Sequence, residues 1–199
     1  MNEHYYTRKP TSKLVKRTIN AVLRGNELTL TTGSGTFSPT KIDLGTKLLI
    51  ESAQLKEGQS ILDLGCGYGA VGIALAKDCP SCNVVMTDVN ERAVELAKEN
   101  SKQNKVNAKT VSGDAYEAVK DEMFDSIYLN PPQTAGKEVC IRMIKEAKAH
   151  LNKGGKLFLV ARHKKGGATL AEFMKETFGN CETITIESGF RVYNSTMPS

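Results

Sequence analysis

A doubly wound α/β domain is the fold class that this sequence predicts, and three observations predict it. Short apolar runs rich in β-branched residues alternate with amphipathic helical segments from Gly58 onward, which implies parallel strands with helices on both faces. The residues just after several strand runs are glycines and carboxylates, the groups expected where such sheets bind ligands. The last two runs, 182–187 and 189–193, flank Ser188-Gly189 and read as an antiparallel hairpin.

The elements follow in order. Between residues 13 and 32 two apolar, β-branched runs (Leu14, Val15, Ile19, Val22, then Leu28, Leu30) surround Gly25-Asn26, a β-hairpin pattern. A Gly/Ser/Thr loop over 33–40 leads to a helix over 43–54, with Leu44, Leu48, Leu49 and Ala53 at helical spacing. Strands are then expected at 60–64, 83–87, 108–111, 124–129 and 156–162. Helices are expected at 70–77, 91–104, 137–150 and 168–178, the second turning Ala93, Val94 and Ala97 inward. With the terminal pair, seven strand runs form one mostly parallel seven-stranded sheet with a C-terminal antiparallel hairpin. Residues 1–42 form a basic N-terminal β extension, and 43–199 the main domain.

Composition narrows the class. At 199 residues, 40% hydrophobic and 25% charged, the chain is an ordinary globular domain. It is long enough to bury roughly 70% of its unfolded surface without a disulfide or metal staple. The longest apolar run beside a strand, Leu157 to Ala161, falls far short of the ~20 residues of a membrane helix, and the N-terminus lacks the apolar stretch of a signal peptide. No membrane association and a cytoplasmic location are the expectation. The net charge of +5 is concentrated: residues 1–47 carry eight basic side chains against three acidic, while the rest balance. Such asymmetry suits a polyanionic partner. The five cysteines include Cys79-Pro80-Ser81-Cys82, but a zinc site needs a second pair, and the position between a helix and the following strand is wrong for a thioredoxin-type motif. Two reduced thiols in a connecting loop, and no metal, are expected. His150 ends a helix and reads as dipole-compatible decoration.

After the first strand comes Asp63-Leu64-Gly65-Cys66-Gly67-Tyr68-Gly69, after the second Asp88, after the third Asp114-Ala115, and after the fourth Asn130-Pro131-Pro132. Glycines at such a turn bring a ligand close to the backbone at a helix N-terminus. Gly67 to Gly72 also matches G-x-G-x-x-G, with Asp88 sixteen residues on, but a nicotinamide site leaves Asp63, Asp114 and Asn130 unexplained.

Asp63 to Gly69 resembles the first motif of class I S-adenosylmethionine-dependent methyltransferases, and Asn130-Pro131-Pro132 resembles the [DN]-P-P motif of those acting on a planar nitrogen. His4-Tyr5-Tyr6, Gly35-Thr36-Phe37-Ser38 and Asp43-Leu44-Gly45-Thr46 are similar to the small-methyltransferase family that includes ribosomal-RNA guanine-N2 methyltransferases. The resemblance covers nearly the whole chain. It implies a Rossmann-like methyltransferase fold and S-adenosyl-L-methionine as cofactor. Cofactor contacts are implied for Asp63, Gly65, Gly67, Gly69, Asp88, Asp114, Ala115 and Asn130. Asp88 would accept from the ribose hydroxyls, Asp114 from the adenine amino group, and Asp63 from the ammonium or from the glycine turn. Asn130, with Pro131 and Pro132, is the implied catalytic set. The implied substrate is RNA, ribosomal in the first instance, at guanine N2 or cytosine N4. A protein glutamine amide, or a non-catalytic cofactor- or RNA-binding role, is the alternative. The oligomeric state stays open. Gln133 stands where an aromatic commonly follows the prolines, so either base stacking falls to Tyr5, Tyr6, Phe37 or Tyr68, or the substrate is held differently. Phe37 and Asp43 to Thr46 form either a lid and helix N-terminus against the cofactor's methionine end or core packing with an Asp43 N-cap, and Arg162 to Lys165 is either a phosphate contact or a solvated basic loop.

Overall fold

The structure, a computed structural model, describes residues 8, 13–36, 38, 40–132 and 136–199. An antiparallel hairpin comes first, β1 (Lys16–Leu23) and β2 (Asn26–Gly33), turning through Arg24 and Gly25, both at positive φ. Helix α1 (Leu44–Glu51) leads into β3 (Ser60–Leu64), α2 (Ala70–Asp78), β4 (Asn83–Asp88), α3 (Glu91–Gln103) and β5 (Ala108–Ser112). Then follow β6 (Phe124–Leu129), α4 (Lys137–Ala147), β7 (Leu151–Arg162), α5 (Gly167–Phe178), β8 (Glu182–Glu187) and β9 (Phe190–Thr196).

Strands β3 to β9 form one seven-stranded sheet in the order β5-β4-β3-β6-β7-β9-β8. β3 to β7 run parallel, and β9 is antiparallel to both β7 and β8. The order reverses between β3 and β6, the crevice where open α/β sheets bind ligands.

The alternation of side chains along each strand splits the core into two layers. Ile61, Tyr128, Phe158 and Val160 face α1, α2 and α3; Leu62, Leu64, Ile127, Leu129, Leu157 and Leu159 face α4 and α5. Both layers are fully buried, so the inner strands read as nearly continuous apolar runs.

Three differences from the sequence reading have physical causes. Helix α1 stops at Glu51, because Arg24 reaches across from the hairpin turn and donates through Nη1 to the carbonyls of Ile50 (3.0 Å) and Ala53 (3.1 Å). Cys79 and Cys82 are joined as a disulfide, not two free thiols: Cys82 N donates to Cys79 O, closing a turn that sets the Cα atoms 5.4 Å apart, within disulfide reach. His150 is buried, stacked on Tyr116 at 4.5 Å between ring centroids.

The hairpin is tied to the sheet domain through α3. Asn100 accepts from Thr31 N (2.6 Å) and donates to Thr31 O (2.8 Å), and Asn104 does the same with Thr29 N (3.0 Å) and Thr29 O (2.8 Å). Spaced one helical turn apart, these two carboxamides give the outer edge of β2 the pairing a third strand would provide. Asn100 Nδ2 also donates to Tyr68 O in the glycine turn (2.8 Å).

Candidate active site

A cavity of about 320 Å³ opens at the carboxyl ends of β3, β4, β5 and β6, within the usual range for small-molecule sites. It reaches across the point where strand order reverses.

The turn after β3 forms its floor. Gly65 N and Cys66 N both donate to Thr87 O on β4 (2.8 and 2.9 Å), which brackets the turn against the neighbouring strand. Gly65 and Gly67 hold φ of +72° and +58°, and a Cβ on either would project into open space. Only glycine adopts these conformations freely, so the backbone here is left bare to a ligand. Gly69, at φ +89°, behaves differently. It starts α2, and a Cβ there would crowd Ile73, Ala97 and Met86, so Gly69 serves packing and does not line the cavity. The same holds for Gly72, whose missing side chain lets Met86 approach, so the G-x-G-x-x-G spacing has a packing cause.

Three carboxylates stand at the strand ends. Asp63 is buried and accepts from Gly72 N (2.8 Å) in the first turn of α2. Burial pushes its carboxyl up from 3.8 to about 7, against the Gly72 hydrogen bond and with the nearby Asp88 charge. Asp88 accepts from Gly67 N and Asn90 N, both at 2.8 Å. Burial raises its pKa too, while the backbone donors of Asn90, Gly67 and Val89 oppose the rise. Three backbone donors leave the carboxylate at least one further acceptor site. Asp114 is exposed and meets Arg142 of α4, whose Nη2 lies 2.7 and 2.9 Å from its two oxygens. That hydrogen bond holds the Arg142 pKa above its ordinary value. Arg142 lines the same cavity, and the sequence reading missed it. Nothing in its local pattern marks it, since it is one of several basic residues on an amphipathic helix.

The wall opposite carries Asn130, Pro131 and Pro132, directly after β6. Asn130 Nδ2 donates to Thr46 Oγ1 on α1 (3.0 Å). Thr46 Oγ1 in turn donates to Asp43, the N-cap of α1, whose other oxygen accepts from Thr46 N (3.1 Å). Thr87, 1% exposed, lines the cavity with a hydroxyl that has no partner among the described residues. A buried hydroxyl without a partner, on a residue that borders a cavity, is a candidate for pairing with a bound ligand. Cys66 also lines it, but burial beside Asp63 and Asp88 drives its thiol pKa well up, which removes it as a nucleophile.

The cavity thus brings together Asp63, Gly65, Gly67, Asp88, Asp114, Ala115, Asn130, Pro131 and Pro132 from the sequence reading. Tyr68 lines it as well, while Phe37, Tyr5, Tyr6, His4 and Gln133 lie outside the described residues. At the neighbouring strand end, Arg162 is exposed and lays its guanidinium over the Phe190 ring, 4.3 Å from the centroid. Among the described residues no helix is long and apolar enough to cross a membrane.

Comparison with known proteins sets relatives beside this geometry. The family described as Methyltransferase small domain matches residues 27–194. The chain is 39% identical over 195 residues to the uncharacterized protein YbxB of Bacillus subtilis (strain 168), covering 96% of this chain and 97% of that one. It is 35% identical over 167 residues to the ribosomal RNA small subunit methyltransferase C of Hamiltonella defensa, covering 82% of this chain and 48% of that one. It therefore spans only half the length of the curated methyltransferases of that name. Among solved structures it is similar to a Thermus thermophilus 16S rRNA N2 G1207 methyltransferase in complex with AdoMet and guanosine. The TM-score is 0.82 at 28% identity, over 94% of this chain and 52% of that one.

Proposed function

Because the chain belongs to the methyltransferase small domain family, we propose that it transfers a methyl group from S-adenosylmethionine to an exocyclic amino nitrogen of ribosomal RNA, guanine N2 before cytosine N4. The observation that carries this reading is Asn130-Pro131 at the wall of a glycine-floored cavity, with the Asn130 amide held by Thr46.

The residues present fit the cofactor. The bare backbone of Gly65 and Gly67, the free lone pairs of Asp88 and the orphan Thr87 hydroxyl offer acceptors and donors to a polyhydroxylated ligand. Asp88 would accept from the ribose hydroxyls, Asp114 with the Ala115 backbone would meet the adenine, and Asp63 would face the ammonium. S-adenosylmethionine supplies an electrophilic methyl on its sulfonium when bound.

An exocyclic amino nitrogen attacks poorly because its lone pair is delocalised into the base. Acceptors on its two N–H groups favour a pyramidal nitrogen and stabilise the positive charge that grows on it during attack. Asn130 Oδ1 and the Pro131 carbonyl are those acceptors, and the prolines fix the carbonyl's direction. No strong base is needed: the electron pair of the broken S–C bond would stay on the sulfur as a neutral thioether, and the nitrogen, acidic only once the new bond forms, would release its extra proton to water. For the substrate side, residues 1–42 are proposed to hold the RNA. Lys13, Arg17 and Lys41 are exposed there, whereas Arg24 is spent inside the fold on α1 and on Asp78 at 2.6 Å. The solved relative that contains guanosine favours guanine over cytosine.

The test is incubation with labelled S-adenosylmethionine and small ribosomal subunits, or their naked RNA, from a strain lacking this gene. Labelled N2-methylguanosine is expected on mass-spectrometric analysis. Label confined to protein would replace this reading with amide methylation. Asn130→Ala should lower kcat by about 100-fold or more while cofactor affinity changes only a few-fold; equal loss of both removes Asn130 from the chemistry.

A further inference from the structure

We propose that Asp43 and Thr46 are positioning residues that fix which end of the Asn130 amide faces the cavity. The proposal rests on the reading of Asn130 as an acceptor for the target amino group.

A carboxamide has two ends of similar shape and opposite hydrogen-bonding character. Only Oδ1 accepts; an Asn130 turned by 180° about its last bond would present NH2 to a substrate NH2 and repel it. The cavity alone does not choose between these states. The choice is made beside the side chain, by a hydroxyl with one proton.

Thr46 Oγ1 lies between Asn130 Nδ2 at 3.0 Å and an Asp43 oxygen. The Asp43 carboxylate only accepts, so the hydroxyl proton goes to it. That leaves Thr46 Oγ1 with lone pairs alone on its other side, and it pairs with the NH2 end of Asn130 and not with the carbonyl end. Asp43 is itself held, because its second oxygen accepts from Thr46 N at 3.1 Å as the N-cap of α1. Thr46 is only 6% exposed and borders the cavity, with its hydroxyl held between the Asp43 carboxylate and the Asn130 amide. The direction of each bond thus follows from the charge at the end of the row. It places Oδ1 toward the cavity that Asn130 lines.

The same logic explains why α1 begins where it does. Its N-cap and its third residue sit beside the end of β6, although 84 residues separate Thr46 from Asn130 in the chain.

The test uses Thr46→Val, which keeps shape and β-branching but removes the hydroxyl, and Thr46→Ser, which restores it. Nitrogen-15 NMR follows the Asn130 side-chain NH2 pair, assigned by its disappearance in Asn130→Ala. In the wild type and Thr46→Ser the pair should be shifted and slow to exchange with water; in Thr46→Val it should move toward solvent-like positions. An unchanged pair in Thr46→Val overturns the proposal, whether or not RNA is methylated. Kinetically, Thr46→Val should lower kcat by about 10- to 100-fold with KM for S-adenosylmethionine nearly unchanged, as for a misplaced acceptor. Thr46→Ser should recover most of it, and Thr46→Val should add nothing in an Asn130→Ala background. A higher KM at unchanged kcat makes Thr46 a cofactor contact and also overturns the proposal. If the wild type methylates no RNA at all, the functional reading fails while the NMR comparison still decides the positioning role.

Discussion

Asp63 is the residue whose ionisation should report most directly on the site. Its folded pKa of about 7 exceeds the ordinary 3.8, chiefly through burial, so the folded state binds more protons than the unfolded chain between those values. Its contribution to stability is therefore complete below pH 3.8 and is lost as pH rises through about 7. Asp63→Asn keeps an acceptor for Gly72 N and carries no charge to desolvate. The variant should melt about 2–8 °C higher than the wild type at pH 8, and this advantage should shrink steadily as pH falls toward 3.8. A cationic ligand favours the ionised carboxylate. Cofactor affinity, by titration calorimetry, should accordingly strengthen from pH 6 to pH 8 in the wild type and lose that dependence in Asp63→Asn. A wild-type affinity flat across this range would show that Asp63 does not face the cation.

At the scale of elements, the tie between β2 and α3 matters most. Asn100 is fully buried and makes three hydrogen bonds outside its own helix. Asn100→Ala leaves Thr31 N, Thr31 O and Tyr68 O without that partner, and should cost about 2–4 kcal/mol in urea unfolding. Removing the exposed Glu95–Lys98 pair on the same helix should cost under about 0.5 kcal/mol. If both losses are alike, the hairpin is held by apolar contact and not by the asparagines. Neither asparagine was legible as a tie, because both occupy polar positions of a charged amphipathic helix, where asparagine is unremarkable. What was legible is what periodicity governs: β3, β6 and β8 fall on the runs read from the sequence, and the other elements differ at their ends. Two of those ends can be traced to contacts outside the local pattern. Arg24 stops α1 early, and β7 begins at Leu151 because an irregularity between Phe124 and Ser126 lets Leu151 pair before the regular ladder starts at Lys156.

For the whole molecule, the decisive feature is the reversal of strand order between β3 and β6. It gathers residues from four strand ends and from α1 and α4 into one cavity. The strand-end residues were legible, since each follows an apolar run directly. Arg142 and the Thr46 contact were not, because each depends on how a helix packs across the sheet, which local pattern does not encode. Gly69 shows the converse: motif spacing assigned it to the ligand, and three-dimensional packing gave it to α2 and α3.

Asn100 Nδ2 is shared between a strand of the hairpin and the glycine turn under the cavity. A shared donor couples the openings of two neighbouring segments. Loading the turn with S-adenosylmethionine raises the free energy of any fluctuation that frees Tyr68 O, and the same fluctuation frees Thr31. Deuterium uptake at β2 amides should slow on cofactor addition, although no β2 residue lines the cavity, and the slowing should vanish in Asn100→Ala. The arm proposed to grip RNA would then be at its stiffest when the methyl donor is in place.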